Sequence, residues 1–285
     1  MAILGIVGSV LAQIMMGQQR FYQRTVEQMG VRRELRTTIN LLPAELRGIA
    51  SAGGDLVDFS STTLTFRSTI GVSLVCAKAS STSIDLPPLN STKTITTAWY
   101  TSPGVGDTVV ALRNDSSGVK GDFWSVHRIT AMASDASYCA GSPYVDAAGD
   151  AGKLRYRLTV TPALPDSVVI GSSLRFLRTG RYALSAAPSG RYYLTRAEYV
   201  GGAWSAAVPV SGPYKGPGAS GGSGLAFTFY DSTGAAVTLP ANASKVARLD
   251  VTLRAQGLSS SGNFGTSSTS VIDSVSLRVA LRNRR

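Results

Sequence analysis

The sequence predicts an α+β protein, with one long amino-terminal α-helix packed against antiparallel β-sheet in a large β-rich globular head. Three observations predict it. From Met1 to Met16 the chain carries no charge, and only Ser9 and Gln13 are polar; it then passes without a break into a charged, amphipathic segment that lasts to about Ala50. At Asp55 the apolar period changes from helical spacing to alternation. Charged residues make up only 16% of the 285, which favours strands and turns over a bundle of solvated helices.

The helix comes first. Val31, Leu35, Ile39, Leu42, Leu46 and Ile49 recur every three or four positions, one apolar stripe expected to cover a sheet. At ~1.5 Å per residue the rod reaches roughly 70 Å, long enough to serve two environments. Pro43 cannot donate to the carbonyl four residues back, so a kink or a fresh start is expected there. Ser51, Gly53 and Gly54 close the helical region.

Three fates compete for Met1 to Met16. A complete transmembrane helix needs ~20 apolar residues, and this run falls short. A secretory signal could be cleaved near Val10-Leu11-Ala12, yet it should open with Lys or Arg, and none precedes Arg20. A buried core helix rarely begins a soluble fold in this way. The expectation is an anchor in a membrane or a filament core, carried by Ile3, Leu4, Ile6, Val7, Val10, Leu11, Ile14 and Met15. Gly5 and Gly8 would let helices approach closely.

After the helix, the pattern predicts short strands at 55–59, 62–69, 72–78, 94–100, 107–113, 123–132 and 154–160. Residues 80–91 and 133–152 read as irregular connectors. In 154–160, Leu154, Tyr156, Leu158 and Val160 fall on one face, with Arg155, Arg157 and Thr159 on the other. A meander follows at 173–186, 191–200 and 203–208, its turns marked by Gly180, Pro188-Ser189-Gly190 and Gly201-Gly202. Residues 212–224 have the composition of a flexible loop. Strands are then expected at 225–230, 235–239, 246–254 and 275–282, with inward sets Leu225, Phe227, Phe229; Leu249, Val251, Leu253; and Val275, Leu277, Val279, Leu281. One dry face and one wet face describe a sheet covered on one side, with the helix as its natural cover. The domain division is therefore 1–50, split into a membrane- or filament-core half (1–16) and an amphipathic half (17–50), and a head at 51–285.

Chemistry is sparse. The net charge of +11 invites a nucleic-acid reading, but the arginines are spread along the chain with no run of five like charges, which favours solvated faces and acidic partners. Gly218-Ala219-Ser220-Gly221-Gly222 fits a nucleophile elbow and Gly216 to Gly221 fits a dinucleotide loop, yet both motifs need a helix to follow, and a strand is expected here. His127 is the one histidine, too few for an imidazole metal site. Asp146 and Asp150 flank a glycine-containing loop that could offer oxygen to Ca²⁺, though without a dense Asp/Asn pattern. No base, nucleophile or electrostatic clamp converges, so no catalytic residue, metal or cofactor is expected.

MAILGIVGSVLAQIMMGQQRFYQ followed by VRRELRTTINLLPAELRGIASAGGDL resembles the amino-terminal helix of type IV pilin-like proteins, most closely the PilW-like minor pilins and the J-type minor pseudopilins of type II secretion. At the other end, SGLAFTFYDSTG, VARLDVTLRAQG and a closing strand ending in LRN are similar to the same group. The likeness covers about residues 1–75 and 180–285. The family's leader and first mature residues have no counterpart in this sequence, which looks trimmed at the front. The resemblance implies a non-enzymatic filament subunit, a precursor processed by prepilin peptidase, an inner-membrane stage with a periplasmic head, and later contact with other pilins or pseudopilins through the amino-terminal helix. The alternatives are a pilus-tip adhesin or DNA-capturing module, and a membrane-anchored periplasmic β protein unrelated to filaments. In an exported chain Cys76 and Cys139 suggest one disulfide; two buried thiols remain the other reading.

Overall fold

A computed structural model of the protein describes residues 2–93, 97–113, 123–238, 240–257 and 271–281, with the side chains of 2–7, 9, 113 and 123 excepted. The architecture is α+β: one long amino-terminal helix and a large antiparallel sheet. Helix α1 (Ala2–Leu46) runs unbroken through Pro43. It closes where Arg47 donates to the Pro43 carbonyl and Gly48 to that of Glu45, tightening the last turn. The proline therefore neither kinks the rod into two nor opens a new one. It lies within the last turn, so little helix follows it.

The strands are β1 (Leu56–Phe59), β2 (Thr63–Leu74), β3 (Ala77–Ser80), β4 (Ser83–Leu86), β5 (Ala98–Trp99), β6 (Thr108–Arg113), β7 (Phe123–Asp135), β8 (Arg155–Thr161), β9 (Ser173–Ala186), β10 (Tyr192–Val200), β11 (Ala203–Trp204), β12 (Val208–Tyr214), β13 (Leu225–Tyr230), β14 (Arg248–Gln256) and β15 (Ile272–Ala280). β9 is the spine. Along one edge it pairs with β2 for the whole run from Ser173 to Ala183. Its other edge is shared end to end, with β6 on residues 174–177 and β10 on 180–186. β7, β8, β4 and β3 continue from β6, while β12, β14 and β13 continue from β10. β15 lies along the other edge of β14 over nine residue pairs, Arg248↔Ala280 to Gln256↔Ile272.

Two hydrophobic cores and a small third cluster, of Leu74, Cys76, Cys139 and Val145, result, and the inward face of β9 belongs to both large ones. Leu174 and Phe176 join Ile84, Leu86, Val109, Ile129, Leu158 and Val160 in one. Tyr182 joins Phe66, Leu194, Tyr214, Phe227, Leu249, Val251 and Leu253 in the other, which α1 covers with Val31, Leu35, Leu42 and Leu46, and the chain just after it with Ile49. Burying each such leucine contributes about 1.5–3 kcal/mol, enough for the rear of α1 to be held by packing alone. Between Phe176 and Tyr182 the inward face of β9 places Arg178 and Gly180, so charge separates the cores.

Several expectations need correction. Ile39 is only half-buried, and Thr38 takes its place on the buried line: the spacing Leu35, Thr38, Leu42 keeps the helical step that Ile39 breaks by one residue. The two strands expected at 62–69 and 72–78 are largely one, because β2 bulges between Thr69 and Gly71 and continues. Gly71 is required there, since a Cβ would collide with that of Trp99 on β5. The connector 80–91 contains β4, whose alternation is masked by Asp85, buried through a two-pronged bond from Arg157 at 2.6 and 2.8 Å. On β8 the faces are not as alternation implied: Leu154 is exposed, and Arg155 is buried with its guanidinium donating to the Tyr138 carbonyl. Residues 212–214 of the expected flexible loop end strand β12, and Lys215 is buried with its amide donating to the Arg254 carbonyl. At 235–238 only a single bridge, Tyr230↔Ala236, forms; Leu239 lies outside the described residues. Of the strand expected at 94–100 only 98–99 is strand, with 94–96 outside the described residues.

Candidate functional site: an exposed helix front on a built-in stem

The rear of α1 is part of the body. Its buried line meets β12, β14 and β15, and polar clasps fix its rotation. Thr38, Ser211 and Tyr214 bring three hydroxyls together, at 2.6 Å (Thr38–Ser211), 2.7 Å (Thr38–Tyr214) and 2.8 Å (Ser211–Tyr214). Burial raises the Tyr214 phenol above its ordinary pKa, so it remains a neutral hydrogen-bonding partner. Two turns on, the Tyr182 hydroxyl donates to Glu45 at 2.7 Å, and Arg196 meets the same carboxylate at 3.2 Å. Burial and then the Glu45 charge push the Tyr182 phenol up. The hydroxyl cluster escaped sequence reasoning, although Thr38 sits on the apolar grid between Leu35 and Leu42, which is the signal that could have found it.

The front of α1 has no such cover. Val10, Leu11, Ile14, Met15, Met16, Phe21, Tyr22, Val26 and Met29 are all exposed, from 48% at Val10 to 74% at Phe21. The side chains of Ile3, Leu4, Ile6 and Val7 are among those excepted above, and nothing is described of the surroundings of Gly5. Gly8 and Gly17 have open space where a Cβ would stand, so neither is needed for packing within this chain. Among the described residues, no helix is long and apolar enough to cross a membrane. Where the rod leaves the body, a groove of about 560 Å³ opens between Tyr22, Val26 and Gly30 on the helix and Pro213 and Gly257 on the sheet.

Candidate chemical sites resolve into structural ones. His127 is buried in β7, its ring nitrogens 2.8 Å from the Pro162 carbonyl and 2.8 Å from the Ser125 hydroxyl. The Ser220 loop is followed by β13, and the Lys215 ammonium donates to the Ser220 carbonyl. Asp150 is fully buried, accepting from the Ser91 hydroxyl (2.6 Å), the Thr92 amide (2.9 Å), the Asp146 amide (3.0 Å) and Lys153 (2.9 Å). It pins residues 91–92 to the 136–153 loop and has no lone pair to spare for a cation. Among the described residues no group of three or more metal-ligating side chains occurs.

Burial works against the Asp150 charge, but these donors outweigh it and hold its carboxyl well below the ordinary carboxylate range. The folded state then binds fewer protons than the unfolded chain. Its stabilisation is complete above the unfolded aspartate's pKa near 3.8 and is lost as pH falls through the folded value. Asp150→Asn, which leaves donors facing donors, is expected to cost about 2–4 kcal/mol at pH 7 and to flatten the acid limb of the stability curve. Urea unfolding from pH 7 to pH 3 measures both; an unchanged acid slope would count against this role.

The Cys76–Cys139 disulfide is formed, between half-cystines buried among Leu74 and Val145 with Tyr138 and Tyr144 beside them. In comparisons with known proteins, the chain matches no protein-family model, no curated protein and no solved structure.

Proposed function

We propose that the protein is a non-enzymatic minor pilin or minor pseudopilin, a structural subunit of a type IV pilus-like or type II secretion filament. One observation carries the reading: the rear of α1 is locked into the sheet while Val10, Leu11, Ile14, Met15 and Met16 of its uncharged front stand exposed. Apolar surface of this extent is covered in the working state, and a helix held by its stem can be covered only by lipid or by other helices. A subunit that waits in the inner membrane with its body in the periplasm, and then joins a helical filament core, uses both covers in turn. Other pilins or pseudopilins are the partners, and prepilin peptidase acts on the full precursor. The likeness of both ends of the chain to PilW-like and J-type proteins supports the same reading.

Leu11→Asp tests it. In the apolar core of a bilayer or bundle an aspartate is about 3 kcal/mol worse than leucine, more than a hundredfold in partitioning. Expressed as the full precursor, the variant is expected to leave the membrane fraction and abolish filament assembly, while its folded body is unaffected. Filaments at normal abundance with Leu11→Asp would overturn the reading.

A further inference from the structure

Strand β15 leaves a long sheet edge open. Its register with β14 runs unbroken over nine pairs. Gly257 donates to the Val271 carbonyl at 2.7 Å, and Leu281 to the Ala247 carbonyl at 2.9 Å. Both bonds continue that register, so the backbone groups of Asp273, Val275, Leu277 and Val279 turn to β14, and those of Ile272, Ser274, Ser276, Arg278 and Ala280 turn away from it. Among the described residues no backbone group reaches that outer edge. One side chain does, at the start: Asp273 accepts from the Ser274 amide at 2.8 Å and from Arg32 of α1 at 3.2 Å. From Ser276 to Ala280 the edge is bare. Natural sheets guard their edges with prolines, bulges, short strands, inward charges or a covering loop. The edge of β13 is covered, because Phe227 donates to the Ser61 carbonyl and Val237 to that of Phe229. β12 carries Pro209 and Pro213, and β1 and β3 have four residues each. β15 has no proline and no bulge, and its one inward charge, Asp273, guards only its first residues.

We propose that the outer edge of β15 takes an added strand: an extended segment of a different polypeptide, with apolar side chains over Val275 and Leu277 and an acidic one beside Arg278. Open main-chain groups in strand register are complementary to another strand, and the side chains on its two faces select which one. Val275 and Leu277 face the helix-covered core yet stay half-buried, since no strand stands next to them. On the other face Arg278, 69% exposed, shares the Asp250 carboxylate with Arg248, at 3.4 and 3.2 Å. Two guanidinium groups on one carboxylate leave positive charge at the rim, which an acidic side chain complements. A second copy fits less well. Antiparallel pairing of β15 with itself is two-fold about an axis normal to the sheet, which turns the second α1 end for end. Parallel self-pairing sets the two apolar faces on opposite sides, so Val275 and Leu277 gain no cover. Setting aside the antiparallel copy rests on the filament-subunit reading, in which helix fronts run alike.

The test uses the full chain in detergent micelles and a short synthetic peptide that alternates valine with glutamate or threonine. The control peptide has the same composition with its valines adjacent. The alternating peptide is expected to bind about tenfold tighter than the control. In two-dimensional NMR its binding should slow amide exchange at Ser276, Arg278 and Ala280, while Val275, Leu277 and Val279, already bonded to β14, change little. Ser276→Pro removes an outward donor and no bond to β14; it is expected to weaken binding about tenfold with the melting temperature nearly unchanged. Arg278→Glu, which spares the backbone, is expected to weaken binding about fivefold, and a peptide with lysine in place of glutamate restores it; this arm decides if the proline variant does not fold. Equal affinity for the two peptides overturns the inference, as does binding that leaves the three outward amides in fast exchange. No binding of either peptide overturns it and leaves the filament reading, which stands on α1, untouched. A dimer of the chain alone in sedimentation, dissolved by Ser276→Pro, makes a second copy the occupant; that overturns the inference and counts against the filament reading too.

Discussion

Asp107→Ala is expected to destabilise the protein by about 3–5 kcal/mol, the usual cost of stranding one member of a buried ion pair. Arg178 donates to both oxygens of Asp107, at 3.0 and 2.7 Å, with both side chains buried. It also donates to the Ser102 carbonyl at 3.1 Å, and Asp107 accepts from the Gly104 amide at 2.9 Å. The Asp107 hydrogen bonds outweigh desolvation and hold the guanidinium above its ordinary pKa; a guanidinium keeps its proton in proteins, so removing Asp107 leaves a buried charge without its main partner. From there alternating charges run across the sheet: Arg178 to Glu198 (3.6 Å), Glu198 to Arg196 (3.3 Å), and Arg196 to Glu45 at the end of α1 (3.2 Å). The ladder occupies the seam between the two hydrophobic cores. Urea unfolding measures the loss. The double variant with Arg178→Leu is expected to lose less than the sum of the two single variants, because no charge is then left buried alone. Strict additivity, or a loss for Asp107→Ala below about 1 kcal/mol, would show that the seam is not held by this pair.

The sequence was most legible where one physical demand acted alone. Strands β13, β14 and β15 alternate because one face is turned to the core that α1 helps to cover and the other is wet, so Leu225, Phe227, Phe229, Leu249, Val251 and Leu253 could be assigned inward from period alone, and all are buried. Legibility failed where a polar group was buried by pairing. Arg178 and Thr38 sit where pattern rules expect a leucine, while Asp85 and Arg155 are buried at positions that alternation assigns to the wet face, and each bonds a partner well removed in the chain. Periodicity carries no information about such partners. The front of α1 is the opposite case: its apolar character is plain in the sequence, but that it remains bare while the rear is covered follows only once β12, β14 and β15 are seen to meet the helix behind Gly30. The separation of the head into two cores was also invisible: Gly180, expected at a turn, is paired inside β9 with Phe66 and Glu198, and only the inward order Phe176, Arg178, Gly180, Tyr182 divides the strand.

Replacing Cys76 and Cys139 together by Ala is expected to cost roughly 4 kcal/mol, the loop-closure value for a sequence separation of 63 residues. The loss should fall unevenly. The bridge ties the chain just before β3 to the 136–152 segment, which lacks regular strand pairing and is otherwise held by the Asp150 hub and by Arg157 stacked over the Tyr138 ring at 4.1 Å. The bridge forms with Leu74 and Val145 a small cluster of its own, at the end of β2 that pairs with Ser173 and away from the helix-covered core. Amide exchange should therefore quicken through 136–152 and β4, while the rear of α1 and β14 keep their protection as long as the Asp107–Arg178 seam is intact. Combining the cysteine replacements with Asp107→Ala should produce unfolding in two steps, with the helix-covered core melting last. If exchange instead quickens equally in α1 and β4 after the cysteines alone are replaced, the two cores form one cooperative unit, and the charged seam joins them more tightly than it divides them.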